Sequence, residues 1–272
     1  MEHTMAAGVI TSVHNPRLKN LVRLRDGSHR RRQRRFLIEG RREVERALDT
    51  GWEIEAVYYC PEYFAAATAP ALCERIRARG LEMVCLGASA FAKVSQREGP
   101  DGFLACANMR AARLDDLQPP PDALLVVVEG VEKPGNLGAL LRTANAAGAT
   151  AVLVANPVTD VTNPNAIRAS QGAFFDLPVV SSDNETIQLW LAEHGVTVIV
   201  TAPAADRPIW DFDLRGRIAL VFGAEDVGLS PDWLANDFAA ACLPVRGVSD
   251  SLNVAATAAV MLYEAVRQRQ PQ

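Results

Sequence analysis

"ALLVVVEGVEKPGNLGALLRTANAAG", residues 123–148, decides how this chain folds. Its first part is a continuous apolar run ending at Glu129 and Gly130, which reads as a buried strand. A turn follows, then an alanine-rich stretch with helical spacing, in which Leu137, Leu140, Leu141 and Ala144 share one face. Gly135 permits the turn, Asn136 is the expected N-cap, and Gly138 leaves the first helical turn bare. Arg142 lies off the apolar stripe, one turn after Gly138. It is either an ordinary surface arginine or a working group above the bare glycine. A glycine-containing helix start can hold an anion. The stretch has neither G-x-G-x-x-G nor G-K-[ST], which argues against a dinucleotide site, a P-loop and a nucleotide-dependent oxidoreductase.

Outward from this stretch toward the C-terminus the alternation continues. Strands are expected at residues 150–156, 196–203, 217–225 and 240–245, and helices at 163–174, 185–195, 231–237 and 253–268. Continuous apolar strands between amphipathic helices predict a mostly parallel sheet covered on both faces. Ligands of such sheets sit beyond the carboxyl ends of the strands. The last predicted helix is apolar almost all round, so it must be buried within the domain or against another subunit. Toward the N-terminus, Pro119, Pro120 and Pro121 mark a linker. Before it come a basic helix from Pro16 to Arg32, a strand at 36–40, a helix at 41–51 and a strand at 54–60, then "LEMVCL", "SAFAKV" and "GFLACANM". This is a second, smaller α/β unit. The expected division is residues 1–111, a linker at 112–122, and 123–272.

Composition narrows the class. No apolar run approaches the roughly 18 residues of a bilayer span, and the start lacks a secretory pattern. The five cysteines are scattered and never paired as C-x-x-C, as expected of a reduced, cytoplasmic protein without structural zinc. The net charge of -4 hides an asymmetry, because Arg30, Arg31, Arg32, Arg34 and Arg35 form one run in a basic N-terminal segment. That run is either a solvated helix face or a phosphate-binding surface, for which the planar guanidinium fork is suited.

Two further loops follow predicted strands. In "FGAEDVGLS", residues 222–230, Gly223 and Gly228 flank the carboxylate of Glu225. In "LPVRGVSDSLNVAATAAVMLYEA", residues 243–265, Ser251 and Asn253 stand at the mouth of the last helix, where free N–H groups need partners. Capping alone accounts for Ser251 and Asn253, and a solvated acid accounts for Glu225.

Taken together, "PGNLGALLRTANAAGA", "FGAEDVGL" and "LPVRGVSDSLNVAA" resemble, in order and wording, the three motifs of the SpoU/TrmH family of RNA 2′-O-ribose methyltransferases, of the SPOUT class. "TNPNAIRASQGAFFDLPV" is similar to the family's middle segment, and "FLIEGRREVERAL" resembles its small L30e-like substrate-binding domain. The resemblance implies an α/β fold whose C-terminal, mostly parallel sheet carries a deep trefoil knot. It implies S-adenosylmethionine as cofactor, held by loops around Ala202, Gly223, Leu243, Leu252 and Val254. It implies a homodimer through the knotted domain, an RNA substrate, most readily ribosomal RNA, and no metal. Arg142 would act on the ribose hydroxyl, as base or as phosphate clamp, supported by Asn136, Glu225, Ser251 and Asn253. Glu225 would act on Arg142 or on the third loop. The arginine run, with Asn165 and Arg168, would contact RNA. Lys133 stands where many members carry Asp, which bears on the target rather than on activity. A tRNA ribose methyltransferase and a non-catalytic RNA-binding dimer are the alternatives.

Overall fold

In the computed structural model, which describes residues 8–64, 67–110, 112–248 and 251–270, the chain divides into two units. The first comprises the described residues up to Arg110 together with Thr162–Arg168. The second comprises the described residues of Ala111–Val161 and Ala169–Gln272.

The first unit contains α1 (Pro16–Arg23), α2 (Gly27–Gln33), β1 (Arg35–Glu39), α3 (Arg41–Asp49), β2 (Ile54–Tyr59), α4 (Ala69–Ala78), β3 (Glu82–Cys85), α5 (Ala88–Val94) and β4 (Phe103–Asn108). The strands form a mixed sheet of order β1-β4-β2-β3, antiparallel except for the β2–β3 pair. Leu18, Leu21, Leu24, Phe91 and Val94 pack on Leu37, Tyr58 and Leu104 of this sheet. The basic helix expected from Pro16 to Arg32 is two helices. Asp26 interrupts it by accepting the Ser28 N–H at 2.7 Å as the N-cap of α2. "SAFAKV" forms α5, and α4 was not anticipated.

The second unit carries β5 (Leu124–Glu129), α6 (Pro134–Ala146), β6 (Ala151–Ala155), α8 (Ala173–Asp176), β7 (Val179–Ser182), α9 (Asn184–Glu193), β8 (Thr197–Thr201), β9 (Ile218–Phe222), α10 (Pro231–Leu234), β10 (Ala239–Ala241) and α11 (Val254–Arg269). The preceding α7 spans Pro164–Ala169. A single helix over 163–174 does not form, because Gln171 and Gly172 both take positive φ, at 50° and 95°. The six strands make one all-parallel sheet of order β10-β8-β9-β5-β6-β7. Every residue of β5, β6 and β9 is buried, as their unbroken apolar runs require. The edge strand β7 is short and half polar, with only Val180 of its four residues buried, so it lacks the apolar run that marks a strand in the sequence. No described helix is long and apolar enough to cross a membrane.

The buried stripe of α6 is the one expected, Leu137, Leu140, Leu141 and Ala144, with Gly138 buried as well. The final helix α11 packs on α6 and buries Val254, Ala258, Met261, Leu262 and Ala265. Its opposite face is not covered within the described chain: Val260 is 48% and Tyr263 52% exposed.

Gly40, between β1 and α3, shows how tightly the first unit is drawn. It sits at φ 117°, in a region open essentially to glycine alone. A Cβ there would stand 2.2 Å from the Glu43 carboxylate and 2.9 Å from an Arg97 guanidinium nitrogen. Gly40→Ala is expected to cost ~1–3 kcal/mol in backbone strain alone, seen as a lower thermal midpoint for this unit by calorimetry. An unchanged midpoint would show that the turn relaxes freely.

A candidate active site where three loops meet

The strand order sets the site. β9 lies between β8 and β5, and β10 flanks β8, so the loops leaving the carboxyl ends of these four strands emerge side by side. The sheet grows from β5 through β6 to β7 on one side, and β9, β8 and β10 fill the other. Such a reversal opens the crevice in which ligands of open parallel sheets lie.

The first loop enters α6 at Pro134, whose missing N–H costs nothing at a helix start. Lys133 holds the N-cap position without a side-chain bond. Asn136 is therefore the third helical residue and not the cap expected from the sequence. Its side chain leaves the helix instead. Asn136 Nδ2 donates to the Glu225 carboxylate, and Asn136 Oδ1 accepts from Asn253 Nδ2 at 3.2 Å.

The second loop folds back on itself. Ala224 N–H donates to the Gly228 carbonyl at 3.1 Å and Gly228 N–H to the Ala224 carbonyl at 3.0 Å. Gly228 takes φ 71° to close the turn. Gly223 has no space for a side chain: a Cβ would lie 2.3 Å from the Gly228 carbonyl carbon and 2.4 Å from Leu229 N. The turn presents Glu225, partly buried, to Asn136 and leaves Val227 exposed.

The third loop ends at Asn253, the N-cap of α11, as expected. Its Oδ1 accepts the Ala255 N–H at 3.0 Å while its Nδ2 reaches Asn136. Ser251 is exposed and makes no hydrogen bond among the described residues. Arg142, further along α6, is exposed, and its side chain likewise makes no hydrogen bond or ion pair among the described residues. Glu225 thus engages neither Arg142 nor the third loop directly. Asn136 stands between them and joins all three segments.

The residues expected to hold a cofactor lie at the same end of the sheet. Ala202 follows β8 and donates its N–H to Ala241 of β10 at 3.0 Å. Gly223 follows β9, half-buried Leu243 follows β10, and Leu252 and Val254 lead into α11. The main-chain N–H groups of Leu243, Val245, Arg246 and Gly247 donate to nothing among the described residues. Half-buried Leu243 and exposed Leu252 offer apolar surface, and these solvent-open N–H groups are available to the acceptors of a heterocycle. No group of three or more His, Cys, Asp or Glu able to hold a metal occurs among the described residues.

The arginine run divides. Arg30 is 2% exposed, and its guanidinium donates to the carbonyls of Leu24 at 3.0 Å and Arg25 at 2.7 Å. It closes the end of α1 and is not a surface phosphate ligand. Arg35 pairs with Glu55 at 2.9 Å. Arg31, Arg32 and Arg34 are exposed. In α7, Arg168 Nη2 donates to Asn165 Oδ1 at 2.8 Å, so these two hold each other.

Sequence reading missed a buried polar cluster behind the second loop, made by Glu129, Asn184 and Ser230. The available signal was an acid closing the apolar run of β5. It also missed Thr159, whose hydroxyl donates to the Glu132 carbonyl of the first loop.

Gly223→Ala should break the back-folded turn. Amide exchange at Ala224 and Gly228 is expected to quicken at least about tenfold, a loss of ~1.4 kcal/mol of local stability. Unchanged protection at both amides would show that the turn does not depend on the missing Cβ.

The chain is similar in sequence and fold to known proteins. Residues 123–263 match the SpoU rRNA Methylase family, and residues 15–105 match the MRM3-like substrate binding domain. A 23S rRNA (uridine(2479)-2′-O)-methyltransferase of Streptomyces viridochromogenes is 31% identical over 98% of this chain and 95% of its own length. The crystal structure of an RNA 2′-O ribose methyltransferase, 40% identical, superposes with TM-score 0.84 over 96% of this chain and 99% of the other. An AdoMet-bound rRNA methyltransferase from Sinorhizobium meliloti, 29% identical, gives TM-score 0.88 over 97% and 99%. With its parallel sheet, its preceding substrate-binding domain and its three converging loops, the chain belongs to the SpoU rRNA Methylase family.

Proposed function

We propose that this chain transfers a methyl group from S-adenosylmethionine to a ribose 2′-hydroxyl of ribosomal RNA. The observation that carries the reading is the bonded series Glu225–Asn136–Asn253, which ties the three family motifs at one end of the sheet. The AdoMet-bound neighbour and the rRNA-modifying relative support the cofactor and the substrate class.

The loops at Ala202, Gly223, Leu243, Leu252 and Val254 would hold the cofactor, with main-chain groups of the 243–247 segment reading its adenine. When bound, the cofactor supplies an electrophilic methyl group. The protein's own task is to align a very weakly acidic hydroxyl and to manage its proton. Arginine keeps its proton at working pH, so we assign Arg142 to gripping a phosphate beside the target ribose. Its exposure, with no side-chain partner among the described residues, leaves the guanidinium fork free for that contact. Asn136 and Glu225 fix the helix start that carries it, and Ser251 and Asn253 line the third side.

RNA affinity comes in part from the first unit, where Arg31, Arg32 and Arg34 offer exposed guanidinium groups. Asn165 and Arg168 are a second, pre-paired contact. The uncovered stripe of Ala256, Val260 and Tyr263 on α11 supports a homodimer through this helix. The family resemblance supports the knotted threading of the C-terminal segment, and five unpaired cysteines support a reducing, cytoplasmic setting.

Arg142→Ala is expected to lower methyl transfer to ribosomal RNA by roughly a hundredfold or more while calorimetric binding of S-adenosylmethionine stays unchanged. Full activity would remove Arg142 from this role, and a wild-type chain that binds no cofactor at millimolar concentration would sink the enzyme reading. Replacing Arg31, Arg32 and Arg34 by Gln should flatten the salt dependence of RNA binding by about 0.7 per lost contact on single strands. An unaltered slope would rule out phosphate contacts by these side chains.

A further inference from the structure

Behind the second loop, Glu129 occupies a position that the methyl-transfer chemistry does not itself require. It closes β5, is 5% exposed, and lies in an otherwise apolar strand. Its two oxygens accept three hydrogen bonds. Oε2 takes the Ser230 N–H at 2.8 Å, and Oε1 takes the Ser230 hydroxyl at 2.7 Å and Asn184 Nδ2 at 2.5 Å. It has no ion-pair partner among the described residues. Asn184, 3% exposed, is itself fixed by Trp233 Nε1, which donates to its Oδ1 at 3.0 Å. Its Nδ2 also lies 3.0 Å from Asp232 Oδ2. Ser230 stands directly after the turn that carries Glu225. It is the N-cap residue of α10, yet its side chain bonds Glu129 instead of capping the helix.

The end of β5 and the helix that follows it therefore grip the second loop at two points. Asn136 holds the turn at Glu225, and Glu129 holds its exit at Ser230. Gly130, next to Glu129, adds a steric limit, since a Cβ there would touch the Ala224 side chain at 3.4 Å. We propose that Glu129 is a positioning residue: its carboxylate anchors Ser230 and so sets where the 223–229 turn places Glu225 against Asn136. The inference rests on the methyl-transfer reading of that turn. An acceptor-only group is required, because three donors converge on it. A glutamine would turn an N–H toward one of those donors and leave it unpaired in a buried site.

The test compares wild type with Glu129→Gln and with Ser230→Ala, which removes only the hydroxyl donor. Amide exchange at Ala224, Gly228 and Ser230 is expected to quicken about tenfold in Glu129→Gln and less in Ser230→Ala, while β6 amides remain protected. With RNA titrated at saturating cofactor, Glu129→Gln should lower kcat at least tenfold per folded molecule and leave KM for RNA within twofold. A double-mutant cycle of Glu129→Gln with Glu225→Gln should be non-additive, since both act on one turn. A lower thermal midpoint with normal kcat per folded molecule would mean simple structural support and would overturn the proposal. If the wild-type chain methylates no RNA, the function reading fails, and the exchange data still decide this one. Unchanged protection of the three amides then overturns it. If Glu129→Gln does not fold, the Ser230→Ala exchange pattern serves as the deciding measurement in the same way.

Discussion

The amide of Asn136 is the contact on which the rest of the site depends. An amide donates and accepts at once, so one side chain can meet a carboxylate on one side and another amide on the other. The Glu225 carboxylate accepts, and the Asn253 side-chain oxygen is already committed to the Ala255 N–H at the start of α11. A group that both donates and accepts, as this amide does, satisfies both neighbours. Segments 89 and 117 residues apart in the chain are held together by this one group. A buried or half-buried polar series of this kind is costly when a member is missing, because a partner is left desolvated and unpaired.

The parallel sheet makes that contact possible. β5 and β9 run side by side and in the same direction, so the loops after them start from neighbouring points. Glu129 and Asn136 then reach the second loop from the same side, at its exit and at its turn. Where side chains would obstruct, they are absent. Gly223 lets the backbone of Gly228 and Leu229 close over it, and no larger residue fits without moving that backbone. Arg142 remains outside this bonded frame, a long, exposed side chain mounted on α6. That arrangement suits a group that must meet a substrate rather than hold the protein together.

The charge asymmetry of the chain has a mixed meaning once side chains are placed. A run of arginines in sequence invites a single reading as a polyanion surface. In space, Arg30 is drawn inward to the carbonyls at the end of α1, and Arg35 is neutralised by Glu55. Guanidinium groups serve equally well as helix stops, ion-pair partners and phosphate ligands. The choice among these depends on whether a carbonyl, a carboxylate or solvent lies within reach. The break at Asp26 decides it here, because it turns α2 so that Arg30 meets the preceding helix end.

The local pattern of the sequence determined the elements that have one dominant cause. Continuous apolar runs could only be buried strands, so β5, β6, β8 and β9 were legible, and the spacing of Leu137, Leu140, Leu141 and Ala144 marked the inner face of α6. The family wording of the three loops named Asn136, Glu225 and Asn253, which bond to one another, and Arg142 and Ser251, whose side chains bond to nothing among the described residues. Tertiary structure alone decided the rest. It moved the helix start to Pro134 and released the Asn136 side chain from capping, because proline already suits a first helical position. It hid Arg30, split the helices around Asp26 and Gly172, and gathered Glu129, Asn184 and Ser230 behind the second loop. Periodicity reports which face of an element is buried. It does not report which distant donor arrives opposite a given acceptor, and that depends on the order in which the strands are laid side by side.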